Sequence, residues 1–252
     1  MKTTTSKKKI KTNGIVIKTI NINESNRLLV LLTDSLGVVT AFAGGVRKPS
    51  SKIAGGCGLF VYSNFVLTET GGKYRVDEAV PKELFYKIRY DISAFSLASY
   101  FCELLSVIIT EGASSSEYVP TLLNALYMIS EAKKPLIHIK TVTEIRLIML
   151  AGFMPDVDNN LCEHKTNLYF DYINGRIICG SCAAKKPNFK GHKLNQTLFE
   201  ALQFIIKSEE KKAYNFSVPD KDLKSLNKIT ENYVIEQIEY KCKTLNTFKE
   251  LI

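Results

Sequence analysis

The chain has 252 residues, 45% of them apolar and 23% charged, with a formal net charge of +9. That balance supports a sizeable hydrophobic core and excludes a disordered chain, a collagen-like fibre and a disulfide-stapled miniprotein. A membrane span is not expected either: the longest charge-free stretch, residues 53–68, contains three glycines, a serine and an asparagine, whereas crossing a bilayer takes ~20 mostly apolar residues.

Taken in chain order, residues 1–12 (MKTTTSKKKIKT) are polar and lysine-rich. They lack the apolar stretch of a secretory signal and read as a flexible basic tail. From residue 13 the character changes. Residues 14–20 (GIVIKTI), 27–33 (RLLVLLT), 38–43 (VVTAFA), 60–68 (FVYSNFVLT) and 73–78 (KYRVDE) read as strands, because β-branched and apolar residues cluster at strand length between turn signals. Asp34-Ser35-Leu36-Gly37 and Glu69-Thr70-Gly71-Gly72 supply two of those turns. Residues 44–52 form a loop rich in Gly, Pro and Ser that carries three cations, Arg47, Lys48 and Lys52. Short strands without a helical pattern between them predict a small barrel over residues 13–80.

After Pro81 the apolar period becomes helical. Leu97, Phe101, Leu104, Leu105 and Ile108 predict one helix, and Leu122, Ala125, Leu126 and Ile129 a second. Residues 139–150 predict a third, and Leu198, Ala201, Leu202 and Ile205 a fourth. The last helix is expected to run from about Asp220 through Leu226, Ile229, Tyr233 and Ile238 to Cys242 and Leu245. The fold class is therefore α+β: a five-stranded N-terminal barrel, then a helical domain over residues 81–252, interrupted at about 156–187.

That interruption contains Cys162-Glu163-His164 and, after fourteen intervening residues, Cys179-Gly180-Ser181-Cys182. The intervening NLYFDYINGRII alternates around Asn174-Gly175, a type I′ hairpin signal that would carry Cys179 back to Cys162. The pattern is that of a zinc ribbon, with Cys162, Cys179 and Cys182 as ligands and His164 as the fourth. Lys165 occupies the position where a second C-x-x-C cysteine would stand. The alternatives are a relic ribbon without metal, held by its hairpin and core, and a redox dithiol at Cys179 and Cys182. Any zinc would be structural. Cys102 and Cys242 read as small buried hydrophobes, with Cys57 likewise apart from the cluster, and His138 and His192 read as surface or loop-edge residues. Six cysteines without an export signal point to a reducing cytoplasm.

The charge is uneven: residues 1–80 hold twelve Lys and Arg against five Asp and Glu, residues 81–160 seven against nine, and residues 161–252 fifteen against eleven. If any part faces a polyanion it is the first third, the alternative being a lysine-rich surface that serves solubility. No G-x-x-x-x-G-K-[ST], G-x-G-x-x-G or G-x-S-x-G motif occurs, so no enzymatic activity and no small-molecule substrate are expected.

Three pieces are specific in combination: Asn23-Glu24-Ser25 followed by Arg27, the Gly-Gly-x-Arg-Lys-Pro loop, and Leu150-Ala151-Gly152-Phe153-x-Pro155-Asp156 ahead of the cysteines. Together they resemble the bacterial DNA repair and recombination mediator family RecO over nearly the whole chain. The resemblance implies an OB-fold barrel followed by a helical domain with a zinc ribbon. It implies a non-catalytic, cytoplasmic, nucleoid-associated protein that binds single- and double-stranded DNA, anneals strands and assists recombinase loading. Its implied partners are RecR and single-strand-binding protein. Lys165 departs from the family's first knuckle. OB barrels hold single strands with a cationic groove and aromatic stacking platforms. Here the candidate cations are Arg27, Arg47, Lys48, Lys52, Lys73 and Arg75. The candidate aromatics are Tyr62, Tyr74 and Phe42, with Phe42 read as core from its alternation. A protein-interaction scaffold and an RNA-binding accessory protein are the competing readings.

Overall fold

The computed structural model describes residues 7–109, 115–158 and 167–252. The first eighty residues form a closed barrel of β1 (Lys8–Asn21), β2 (Arg27–Thr33), β3 (Gly37–Ala43), β4 (Tyr62–Thr70) and β5 (Lys73–Glu83), in the order β1-β2-β3-β5-β4. β1 serves two neighbours. Its first half, Lys8 to Ile15, pairs with β4, and its second half, from Gly14 on, pairs with β2, with a register shift within that pairing between Val16 and Lys18. Closure comes from a parallel pairing of β3 with β5, Ala41 opposite Tyr74 and Phe42 opposite Arg75. The expected tail therefore ends early: residues 8–12 are strand. Lysines hide the β pattern locally, but the backbone of β4 needs a hydrogen-bonding partner and finds it in Lys8–Thr12.

Alternate residues of each strand face opposite sides, and the two sides build two cores. Val16, Leu29, Leu31, Val39, Ala41, Ala43, Phe65, Leu67 and Val76 fill the barrel, closed at one end by Val46 and Cys57 from the β3–β4 connection. Ile15, Ile17 and Leu32 point outward into a second, larger core with the helices. Phe60, Phe85 and Ile88 continue that core through the junction, and Ser115 Oγ donates to Thr33 O at 2.6 Å.

The helical part consists of α1 (Ile92–Ile108), α2 (Tyr118–Ser130), α3 (Leu136–Leu150), the short α4 (Gly180–Ala184), α5 (Gln196–Lys207), α6 (Asp220–Ile238) and α7 (Lys243–Glu250). Asp91 starts α1 by accepting the amides of Ser93 and Ala94. The long last helix expected from the apolar stripe is two helices. Glu239 adopts φ +52° and ends α6, and Glu103 on α1 accepts the Lys243 and Thr244 amides at 3.0 and 2.9 Å, starting α7. Burial tends to raise the Glu103 pKa, but these bonds, with the Thr244 and Tyr240 hydroxyls, hold it below the usual range. His138, expected at the surface, is buried on α3. Its ring stacks on Phe216 at 4.2 Å and its Nε2 lies 3.0 Å from Tyr214 O.

α3 is enclosed on nearly all sides, so its polar residues need internal partners. Lys140 donates to Glu144 at 2.8 Å, Glu231 at 3.0 Å and Asn227 at 3.0 Å. Glu144 also accepts the Tyr100 and Thr230 hydroxyls, and Lys249 reaches Glu231 at 2.6 Å. This network joins α1, α3, α6 and α7.

Candidate nucleic-acid interface

Four of the six cations singled out in the sequence, Arg27, Arg47, Lys48 and Lys52, gather at one end of the barrel, on or beside two connections tied together. Asn23 Oδ1 accepts the amides of Ser25 and Asn26, closing the β1–β2 turn. Asn26 Oδ1 then accepts the Gly45 amide at 2.7 Å, and Arg47 joins the same turn twice, through its amide to Ser25 O at 3.0 Å and its guanidinium to Asn23 O at 2.6 Å. Gly45 takes φ +65° to make this approach. Arg47 and Lys48 thus stand exposed on an ordered rim, and Lys52 follows one turn later, after the Ser51 amide bonds Lys48 O at 3.0 Å. Arg27, opposite Ala43 at the end of β2 next to the β1–β2 turn, donates to Asn21 Oδ1 at 2.9 Å. Burial pushes the Cys57 thiol there up to about 12, with the Arg27 charge opposing. Among the described residues no hydrogen bond or ion pair engages the side chains of Lys48, Lys52 or Lys73.

Lys73 and Arg75 lie apart from this rim, at the start of β5. Arg75 belongs to a row of register partners that crosses every strand: Lys9, Thr68, Arg75, Phe42, Leu28 and Ile20. Partners in a row share a face. Ala41 and Ala43 face the interior, so this row faces out. Phe42, read as core, is therefore half-buried on the outer face. The phase of its alternation is set by the barrel interior, which takes the two alanines. Tyr74 instead packs against the barrel's own core and Tyr62 against the helical core, so of the three candidate aromatics Phe42 is the one on the outward row. Ile20, 41% exposed, and Ile22, 49% exposed, extend the apolar surface into the β1–β2 turn.

Sequence reasoning assigned Lys8, Lys9 and Lys11 to a tail. The structure puts all three, exposed, on β1, and Lys9 at the end of the row, separated from Arg75 by Thr68. Their signal in the sequence was charge alone.

At the ribbon, β6 (Leu168–Asp171), β7 (Arg176–Cys179) and β8 (Gly191–Lys193) form a sheet in the order β7-β6-β8. The expected hairpin is present, but its loop is the four residues 172–175 rather than a two-residue type I′ turn. Asp171 organises that loop by accepting the Ile173 amide and the Asn174 side chain, and it pairs with Lys186. Cys179 is buried at the end of β7 and Cys182 is half-buried on α4. The Gly180 amide donates to Asn167 O at 2.8 Å, and a Cβ on Gly180 would collide with the Asn167 side chain. The other two expected ligands, Cys162 and His164, and Lys165 with them, lie outside the described residues. Among the described residues no three His, Cys, Asp or Glu side chains gather as a metal site.

No described helix is long and apolar enough to cross a membrane. Residues 7–85 match the family model described as Recombination protein O N terminal, and residues 89–246 match Recombination protein O C terminal. A DNA repair protein RecO from Acetivibrio thermocellus is 30% identical over 246 residues, covering 96% of this chain and 97% of that protein. The namesake from a Thermoanaerobacter species is 29% identical over 245 residues, covering 96% and 98%, and that of Clostridium perfringens is 25% identical over 241 residues, covering 95% and 97%. With both halves matched in order and relatives aligned end to end, the chain belongs to the RecO family of DNA repair proteins.

Proposed function

We propose that this chain is a non-catalytic DNA-binding mediator that lays single-stranded DNA across the outer face and rim of an OB-type barrel. The strand order, the long shared β1 and the parallel β3–β5 closure support the OB reading. The observation that carries the function is the outer row from Lys9 to Ile20, with one outward aromatic beside Arg75, next to an ordered rim bearing Arg47 and Lys48. Stacking on Phe42 tolerates any base, and the cations follow the phosphates. Double-stranded DNA would meet the same cations through phosphate contacts alone. Strand annealing, recombinase loading and contacts with RecR and single-strand-binding protein belong to this reading through family membership, as does a place in the cytoplasm at the nucleoid.

The test is a salt titration of oligonucleotide binding. Arg47→Ala with Lys48→Ala should weaken binding to every sequence and make the slope of log K against log salt shallower by about 1.4 if each cation meets one phosphate of a single strand. Unchanged affinity and slope in the folded double variant refute the rim as a contact. Annealing of complementary strands coated by single-strand-binding protein, without ATP, tests the mediator role.

We also propose a structural zinc held by Cys162, Cys179, Cys182 and His164. The support is the donor set together with the tight backbone approach at Gly180. The metal would supply a cross-link between knuckles and no chemistry on a substrate. Elemental analysis of protein expressed with ample zinc and no chelator tests it. Absence of stoichiometric zinc leaves the metal-free ribbon, and unchanged affinity in His164→Ala removes the histidine from the set.

A further inference from the structure

Beside the outer row lies a carboxylate, Asp77, where a polyanion site would gain from having none. Asp77 stands two residues after Arg75 on β5, at an irregularity where the register passes from Leu67–Val76 to Val66–Glu78 without it, and its side chain reaches Thr68 and Arg75 of the outward row. Asp77 Oδ1 accepts from Arg75 Nε at 3.1 Å and forms an ion pair with Nη2 at 2.9 Å. Its other oxygen accepts the hydroxyl of Thr68, the cross-strand partner of Arg75, at 2.5 Å. The arrangement is layered: the Asp77 side chain is 16% exposed and the Arg75 side chain 63%. The carboxylate lies under the guanidinium, with Lys9 on the far side of Thr68 in the row. The Thr68 hydroxyl, backed by Arg75 and Lys9, keeps the Asp77 carboxyl below its usual range against the effect of burial, so the charge is present throughout the neutral pH range.

We propose that Asp77 is a restraint that sets the nucleic-acid affinity of the barrel by occupying Arg75. The inference rests on the reading of this face as the single-strand site. A phosphate arriving at Arg75 meets a guanidinium whose Nε and one Nη are already engaged, over a carboxylate that repels it. A purely structural role needs only an acceptor for Thr68 and a neighbour for Arg75, both of which an amide supplies. The negative charge adds something else: it keeps the strand exchangeable, as a protein that brings two strands together and then releases them requires.

The experiment compares wild type, Asp77→Asn, Arg75→Ala and Arg75→Ala/Asp77→Asn for binding of an oligo-dT of about 25 nucleotides, longer than one OB fold covers, at several salt concentrations. Asp77→Asn should tighten binding three- to ten-fold and steepen the salt slope by about 0.7, the contribution of one further phosphate neutralised on a single strand. In the Arg75→Ala background the same change should do little, because Asp77 acts through Arg75. Asp77→Ser repeats the comparison if the amide variant unfolds. Affinity unchanged or weakened by Asp77→Asn in a wild type that binds overturns this inference alone, as does an equal gain in the Arg75→Ala background. A wild type that fails to bind the oligonucleotide at low salt overturns the reading of the site and the inference with it.

Discussion

Lys140→Met should be among the most destabilising single changes in the helical domain. The Lys140 side chain is 1% exposed and that of Glu144 is 0% exposed. Methionine leaves the aliphatic packing nearly intact and removes only the ammonium group. Glu231 keeps Lys249, so the damage concentrates on Glu144, a carboxylate left in the interior with two hydroxyl donors, Tyr100 and Thr230. Breaking a buried pair from one side costs about 3–5 kcal/mol. At about 2–4 °C per kcal/mol for a chain of this size, the unfolding temperature should fall by about 6–20 °C. Burial already raises the Glu144 pKa, with Lys140 pulling the other way, and the variant raises it further. A folded pKa above the unfolded one makes the penalty grow as pH rises past the ordinary carboxylate value of about 4.3. The deficit against wild type should therefore be largest above neutral pH and shrink on acidification. Urea unfolding at several pH values, followed by circular dichroism, reads both effects. Adding Glu144→Leu should recover part of the loss, because a buried pair removed whole costs less than one broken. A single-variant loss below about 1 kcal/mol, or a deficit that does not narrow toward acid pH, would refute the reasoning.

Gly56→Ala should destabilise the barrel by about 1–3 kcal/mol, since its Cβ would sit 2.6 Å from the Ala79 carbonyl oxygen, whereas Gly55→Ala, with nothing within 4 Å, should be nearly neutral; thermal unfolding of the pair checks the contrast. His138 is held below the usual imidazole range by burial, assisted by Lys134 and opposed by its bond to Tyr214 O. Its folded pKa is depressed, so the stability tied to neutral imidazole is present above about 6.5 and is lost as pH falls below it. The decline in the urea midpoint between about pH 7.5 and 5.5 should flatten in His138→Gln; an equal decline in both proteins would assign it to other groups.

Much of this architecture is legible in the sequence because it rests on local signals. Runs such as RLLVLLT and VVTAFA show their strands through β-branched and apolar side chains, and the spacing of Leu97, Phe101 and Leu104 shows a helix face, because burial imposes the period of the backbone on the residues that make it. The basic loop is visible as charge between glycines. What the sequence does not show is decided by partners distant along the chain. Lys8–Thr12 is a strand only because β4 lies beside it, and α6 ends before α7 because Glu103, more than 130 residues earlier, caps Lys243 and Thr244. The phase of Phe42 follows from a barrel interior that takes Ala41 and Ala43, and the outward row exists only once five strands are in register. Charge and periodicity are properties of a segment, so the strands, most of the helices and the basic loop can be read along the chain. Register, capping and the packing of Asp77 against Arg75 and Thr68 are relations between segments, which no single stretch of residues encodes and which exist only in the folded chain.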